Sequence, residues 1–481
     1  MGLGCLLLLC ARDGGFRRLL RHPQIRKGGL FLIALFGGCQ LKADPALPVV
    51  KRVQADSLAI QQVVYNDRVA PFNTLARDFV QKIYGRPSFH RITPEQVVSS
   101  WMLYPEEWNR TPIIRIKNQE LRTALGLKEE YASLNHLFDG TQYKLQPLWQ
   151  REQGNRSKLA QAIQETDEKV GLILMLRQGT LIRPLPPDVT PLSTQKVNAE
   201  LWYNRIPFSK ILFMVNLTLG FAAFGLFMFR MLTGRKEKAV SRRVWGTALC
   251  LTTLFHATGY ALRGYIRGGF PLSNGYETMQ FVALAVLLTA CLLQRRFPFT
   301  RPFGFLLSGF TLLVAYLGEM NPQITPLMPV LASPWLSWHV SLIMISYGLF
   351  AFTFLNGILA LCLIGKQKNT ASPITGEQIE QLTLLSRLLL YPGTFLLGIG
   401  IVLGAVWANV SWGSYWSWDP KEVWALAAFI IYGISFHRNS LPCFQRQWLF
   451  HGYMIFAFAV VLMTYFGVNH LLGGMHSYAN S

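Results

Sequence analysis

The sequence predicts an all-α polytopic membrane bundle of about eight transmembrane helices, preceded by an exported, mainly helical α+β soluble domain. Three observations carry this. Mean hydropathy is +0.26, with 51% hydrophobic and 15% charged residues, too apolar for a soluble chain of 481 residues. Long apolar segments follow one another from residue 206 onward. The basic residues behind a net charge of +21 gather in alternate loops between those segments, as the positive-inside bias requires. That distribution belongs to a membrane protein, and nucleic-acid binding is not expected.

Residues 1–43 hold two short apolar runs, GLGCLLLLCA and GLFLIALFGG, around the basic stretch RRLLRHPQIRKGG. Neither run reaches the ~18 residues needed to span a bilayer. The second resembles a signal-peptide core with cleavage after Ala43, or a retained anchor, and Gly37-Gly38-Cys39 is a weak lipoprotein site. Residues 44–205 are polar enough for an extracytoplasmic soluble domain. In it Thr93-Pro94-Glu95-Gln96 reads as a capped helix start, residues 113–116 as a strand, and 118–125 as a helix closed at Gly126. Residues 155–176 suit a longer amphipathic helix, and the proline-rich LIRPLPPDVTPLSTQ is the linker.

Residues 206–478 form the membrane domain. Its apolar segments are 206–230, 244–263, 276–294, 302–318, 338–365, 389–410, 423–437 and 448–471, the seventh being short for a span. RKEKAVSRR, QRRFPFTR, the stretch from GKQKN to Arg387, and HRNSLPCFQR define the cytoplasmic side. The soluble domain, the loop containing WGSYWSWDPKEVW and the C-terminus then lie outside, on the periplasmic side of a bacterial inner membrane. Seven cysteines include no CxxC or CxxCH, which excludes a thioredoxin-like site, a zinc site or covalent haem in this chain. Cys250, Cys291 and Cys362 are expected as small core residues.

Trp412, Trp416, Trp418 and Trp424 sit at the depth of an aromatic belt. A belt accounts for one or two tryptophans, not four interleaved with Asp419, Lys421 and Glu422, and charges leading into a membrane helix tend to be functional. A flat, apolar, partly anionic ligand uses both features, stacking on indole and pairing its carboxylates with Lys421, Arg263 or Arg267. Haem b is such a ligand, and its iron takes imidazole. His339, at the outer start of the fifth segment, and His476, just beyond the eighth, bracket the tryptophan loop as candidate axial ligands, with His470 a rival. His437 ends the seventh segment on the inner side, as a helix cap or an inner haem ligand. His256, inside the second segment, is open between ligand, gate and structural hydrogen bond, and His451 is read as structural.

WGSYWSWDPKEVWALAAFIIYGISFHR resembles the WWD signature of the cytochrome c assembly superfamily of haem-handling membrane proteins. Within it the chain is most similar to the CcsA (ResC) component of the System II cytochrome c synthase, through LRGYIRGGFPLSNGYET, SWHVSLIMISYGLF and TYFGVNHLLGGMHSY over residues 206–478. The resemblance implies that His339 and His476 hold haem over the tryptophan loop and that His437 is a transmembrane haem ligand. It also implies that haem is attached to the CxxCH of apocytochrome c with a CcsB (ResB) partner and a thiol-reducing partner. Residues 1–205 lack the helices of a fused CcsB, so a separate partner chain is expected. The rival expectations are a System I haem-delivery protein without synthase activity, and a membrane transporter or oxidoreductase whose tryptophans only anchor the bundle.

Overall fold

The computed structural model describes residues 47–472 except 141, 156, 234, 236, 319, 321, 326–332, 370–372 and 438; the signal-like segment and His476 lie outside the described residues. The chain divides into two compact units, with the boundary between Ile206 and Pro207.

The polar unit is built from α1 (Arg52–Ala59), β1 (Gln62–Tyr65), β2 (Arg68–Pro71), α2 (Phe72–Tyr84), α3 (Pro94–Leu103), α4 (Pro105–Arg110), β3 (Ile114–Arg115), α5 (Gln119–Ala124), β4 (Tyr131–Ala132), β5 (Phe138–Asp139), β6 (Gln142–Tyr143), α6 (Leu145–Glu152), α7 (Lys158–Arg177), β7 (Arg183–Pro184) and α8 (Thr194–Arg205). Strands β1 and β2 form a tight hairpin through Asn66 and Asp67, both with positive φ (51° and 56°), as a two-residue primed turn requires. The sheet order is β2-β1-β7. The capping box expected at Thr93 and Gln96 is present. The strand at 113–116 is β3 paired with β4, and Gly126 takes φ 70° after α5. Trp101 and Trp108 stack in the core, with each indole N–H paired: one donates to Asn109 Oδ1 at 3.0 Å, the other to Pro48 O at 3.1 Å. Across this unit Arg68 Nη1 donates to the buried Glu200 Oε2 at 3.0 Å.

Among its described residues the second unit is an apolar bundle of eight helices, one for each apolar segment: α9 (Phe208–Thr233), α10 (Ala239–Arg267), α11 (Gly275–Leu293), α12 (Thr300–Leu317), α13 (Pro334–Asn369), α14 (Pro373–Trp412), α15 (Pro420–Ile434) and α16 (Gln447–Leu462), which continues as a π-helical stretch, Met463–Leu472. Among the described residues six of these are long and apolar enough to cross a membrane. The two that differ from expectation are α10 and α15. Helix α10 is long, but Thr252, Thr253, His256 and Thr258 make its middle too polar, and α15 has only 15 residues.

Antiparallel neighbours approach closely over glycine. A Cβ at Gly220 or Gly309 would fall 2.9 Å or less from Leu306 or Leu217, so α9 and α12 pack at a distance only hydrogen side chains permit. Cys250 and Cys362, expected inside, are exposed on the bundle's flank. The reason is that lipid-facing and core-facing positions of a membrane helix are equally apolar, so composition does not separate them.

Candidate functional site

The helices alternate in direction, so the start of α13, the end of α14 and the start of α15 meet at one end of the bundle. His339 lies in the first turns of α13. Its Nδ1 is 2.6 Å from the carbonyl oxygen of Gly400 on α14, and its ring occupies the space where a Cβ at Gly404 would stand, 2.6 Å from Nδ1 and Cε1. A carbonyl only accepts, so Nδ1 carries the hydrogen, and in the neutral form of the ring the lone pair is on Nε2. A backbone carbonyl on the second nitrogen is the support that metal-binding histidines ordinarily have. From Gly404, about 12 Å of helix rise leads to Trp412, whose ring meets Trp407 edge-on at 4.8 Å.

The loop from Trp412 to Pro420 is fixed by its own polar groups. Gly413 (φ 76°) ends α14 in the left-handed conformation. Asp419, almost fully buried, caps α15 by accepting from the Lys421 N–H at 2.9 Å, while Glu422 accepts from the N–H groups of Asp419 at 3.2 Å and Ser417 at 2.9 Å, and from Ser417 Oγ at 3.2 Å. Asp419-Pro420-Lys421-Glu422 is thus a capping box with Pro at the first helical position. The two carboxylates anchor the loop. Trp418 stands 74% exposed with φ 59°, a left-handed conformation that costs a bulky residue on the order of 1–3 kcal/mol. Its ring meets Trp416 edge-on at 5.9 Å. Trp424, one turn into α15, offers its carbonyl to Thr464 Oγ1 at 3.3 Å, which ties the start of the π-helical stretch to the same end.

Arg263 is placed differently from expectation. It is 1% exposed; Nε donates to Glu277 Oε1 at 2.8 Å, and Nη1 and Nη2 donate to the carbonyls of Pro322 at 2.7 Å and Gln323 at 2.9 Å. Arg267 Nη1 and Ser273 complete the shell of Glu277. This buried Arg-Glu-Arg cluster fastens α10, α11 and the chain after α12, and its donors face protein rather than a ligand.

The remaining histidines separate. His256 is buried in α10, with Nε2 3.1 Å from Gln280 Oε1, and Gln280 in turn donates to Ser209 Oγ at 2.8 Å: a hydrogen-bonded chain joining α9, α10 and α11. His437 lies three residues beyond α15, exposed, at the opposite end from the tryptophan loop. His451 is buried against Thr383. The side chain of His470 and all of His476 lie outside the described residues. Among those described, no group of three or more His, Cys, Asp or Glu forms a metal cage. Sequence reading missed the Gly400–Gly404 seat of His339 and the buried role of Glu277. It had a signal for the Asp419 cap, which repeats the pattern of Thr93-Pro94-Glu95-Gln96.

Residues 272–476 match the family described as Cytochrome C assembly protein. The chain is 33% identical over 314 residues to the cytochrome c biogenesis protein CcsA of Synechococcus sp. (strain WH7803), covering 54% of this chain and 94% of that protein. It is 32% identical over 305 residues to CcsA of Prochlorococcus marinus (strain NATL2A), covering 54% and 93%. Protein NrfI of Wolinella succinogenes is 32% identical over 483 residues, which is 86% of this chain, and the chain spans about half of NrfI (53%). With nearly the whole of the CcsA proteins covered at this identity, the chain belongs to the cytochrome c assembly protein family.

Proposed function

We propose that this chain works in cytochrome c biogenesis, holding haem b at the outer end of the bundle for thioether attachment to the CxxCH of an exported apocytochrome c. The observation that supports this most is His339: an imidazole seated by glycine, with its Nδ1–H committed to a backbone carbonyl and its Nε2 lone pair suited to iron. His476 is the proposed second axial ligand. Trp412, Trp416, Trp418 and Trp424 supply flat apolar surface, and the strained, exposed Trp418 is the one to stack on the macrocycle. Lys421 is the candidate partner for a propionate, while Asp419 and Glu422 hold the loop in shape.

The protein's part in the reaction is positioning. Fixing haem and the CxxCH segment together turns the addition of each thiol across a vinyl group into an oriented step, with S–H and C=C consumed and no oxidant needed. His437, at the other end, is the proposed inner ligand, paired with a histidine of a CcsB-like partner. The soluble domain, the tryptophan loop and the C-terminus are proposed to face the periplasm, where a thiol-reducing partner keeps the substrate cysteines free.

The test is purification from the membrane and measurement of the Soret band per protein. Haem copurifying with the native chain and lost from His339→Ala combined with His476→Ala supports the site; an unchanged spectrum in the double variant refutes it. Coexpression with a CcsB partner and an apocytochrome, in cells without their own assembly system, separates synthase from carrier. A chain that binds haem yet yields no holocytochrome there is a haem-delivery protein.

A further inference from the structure

Helices α10 and α11 run past each other in a register that four side-chain contacts fix. From the end of α10 backward, Arg263 meets Glu277, His256 meets Gln280, Thr253 Oγ1 lies 3.2 Å from Cys291 Sγ, and Gln294 Nε2 donates to Cys250 Sγ at 3.5 Å. The first two contacts are the structural pairs described above. The last two bring to one level a pair of thiols that the haem reading does not use, and the Cys250 and Cys291 side chains interact directly. Cys362 and Cys443, which are also exposed, have no such cysteine contact among the described residues.

The direction of the Thr253 bond follows from its own commitment. Its hydroxyl donates to Leu249 O at 2.7 Å, so toward Cys291 it accepts, and the Cys291 S–H points at Thr253. The lone pairs of the Cys291 sulfur are left for its other neighbour, Cys250.

The two thiols differ in access. Cys250 is exposed and Cys291 is half-buried behind it. Leu251 and Leu254 on α10 and Leu288 and Leu292 on α11 are exposed around them, so this flank is apolar. A charged reagent loses its hydration at such a surface, whereas hydrogen peroxide is small and uncharged. An accessible thiol with a second thiol beside it is the arrangement in which a first oxidation product is captured as a disulfide.

We propose that Cys250 and Cys291 are a peroxide-responsive pair that closes a disulfide between α10 and α11. Peroxide transfers an oxygen atom to the Cys250 sulfur, giving a sulfenic acid and water. The Cys291 sulfur then attacks that sulfur; the S–O bond breaks, the departing hydroxyl takes the Cys291 proton and leaves as water, and an S–S bond remains. The thiols are oxidised by a pair of electrons, and the O–O bond of peroxide is reduced. The disulfide makes covalent a contact held at this level by the hydrogen bonds of Gln294 and Thr253, and a thiol reductant reopens it.

The test uses the full chain in lipid nanodiscs, treated with hydrogen peroxide, alkylated with N-ethylmaleimide and digested for mass spectrometry. A peptide pair joined through Cys250 and Cys291 and released by dithiothreitol is expected. Both thiols should lose alkylation together, several-fold sooner than Cys362 and Cys443. In Cys291→Ser, Cys250 should stop at the sulfenic acid and be trapped by dimedone, and in Cys250→Ser, Cys291 should stay alkylated as in the untreated chain. Native Cys250 trapped by dimedone with no link to Cys291 would overturn the proposal. So would oxidation of Cys250 no faster than that of Cys362, or loss of Cys291 alkylation at the native rate in Cys250→Ser.

Discussion

The imidazole of His339 rests on the backbone of the neighbouring helix: its Nδ1 is 2.6 Å from the carbonyl oxygen of Gly400, and the ring fills the place of a side chain at Gly404. A methyl group at Gly404 therefore meets the ring itself. Gly404→Ala is expected to turn the imidazole away and lower haem retention many-fold, close to His339→Ala. Gly365→Ala, in a position with nothing within 4 Å, leaves the Soret band unchanged. Equal haem content in all three chains would show that the seat is unimportant.

The cap at Asp419 sets the shape of the tryptophan loop. Asp419→Ala removes the acceptor of the Lys421 N–H and is expected to cost about 1 kcal/mol locally. Faster amide hydrogen exchange at the start of α15, with the rest of the bundle unaffected, is the readout. Unchanged exchange there would mean the loop is held by other contacts.

Glu277 sits between two guanidinium groups with none of its surface exposed. Glu277→Gln leaves buried positive charge uncompensated, and breaking a buried pair in this way costs about 3–5 kcal/mol. A large fall in the unfolding temperature of the detergent-solubilised chain is expected. Arg267→Leu, which keeps the Arg263 pair, should fall less; the reverse order would contradict the assignment of Arg263 as the principal partner.

Asp78, on α2 of the polar unit, has its carboxyl pushed up to about 6, chiefly by burial, against the nearby cations Lys82, Arg77 and Arg68. In the unfolded chain it titrates near 3.8. Because the folded value is the higher one, the folded state binds the proton more tightly. The stability tied to that proton is complete below about pH 4 and is lost as pH rises through 6. Asp78→Asn should therefore slow hydrogen exchange in α2 above pH 6 relative to the native chain and make no difference below pH 4. A constant difference across that range would contradict the burial argument.

Much of the architecture was legible because membrane helices announce themselves by length and apolarity: each of the eight apolar segments became one helix. Legibility failed where lipid and protein interior look alike in sequence. Cys250 and Cys362 were read as inward and face outward. Arg263 looked like a cation for a carboxylate ligand, yet the carboxylate it meets is Glu277, 14 residues later, with two carbonyls near residue 322. The cap at Asp419 was readable in principle and was obscured by the tryptophans around it.

The sequence by itself determined the membrane character, the two-part organisation of polar and apolar halves, and which residue types gather near the tryptophan loop, because hydropathy, charge and local caps are short-range properties of the chain. Only the tertiary structure decided what each of those residues does. The tautomer of His339 depends on a carbonyl 61 residues away, and the commitment of Arg263 on a loop 59 and 60 residues away. Hydrogen bonds act over about 3 Å, so their partners are set by packing rather than by spacing along the chain.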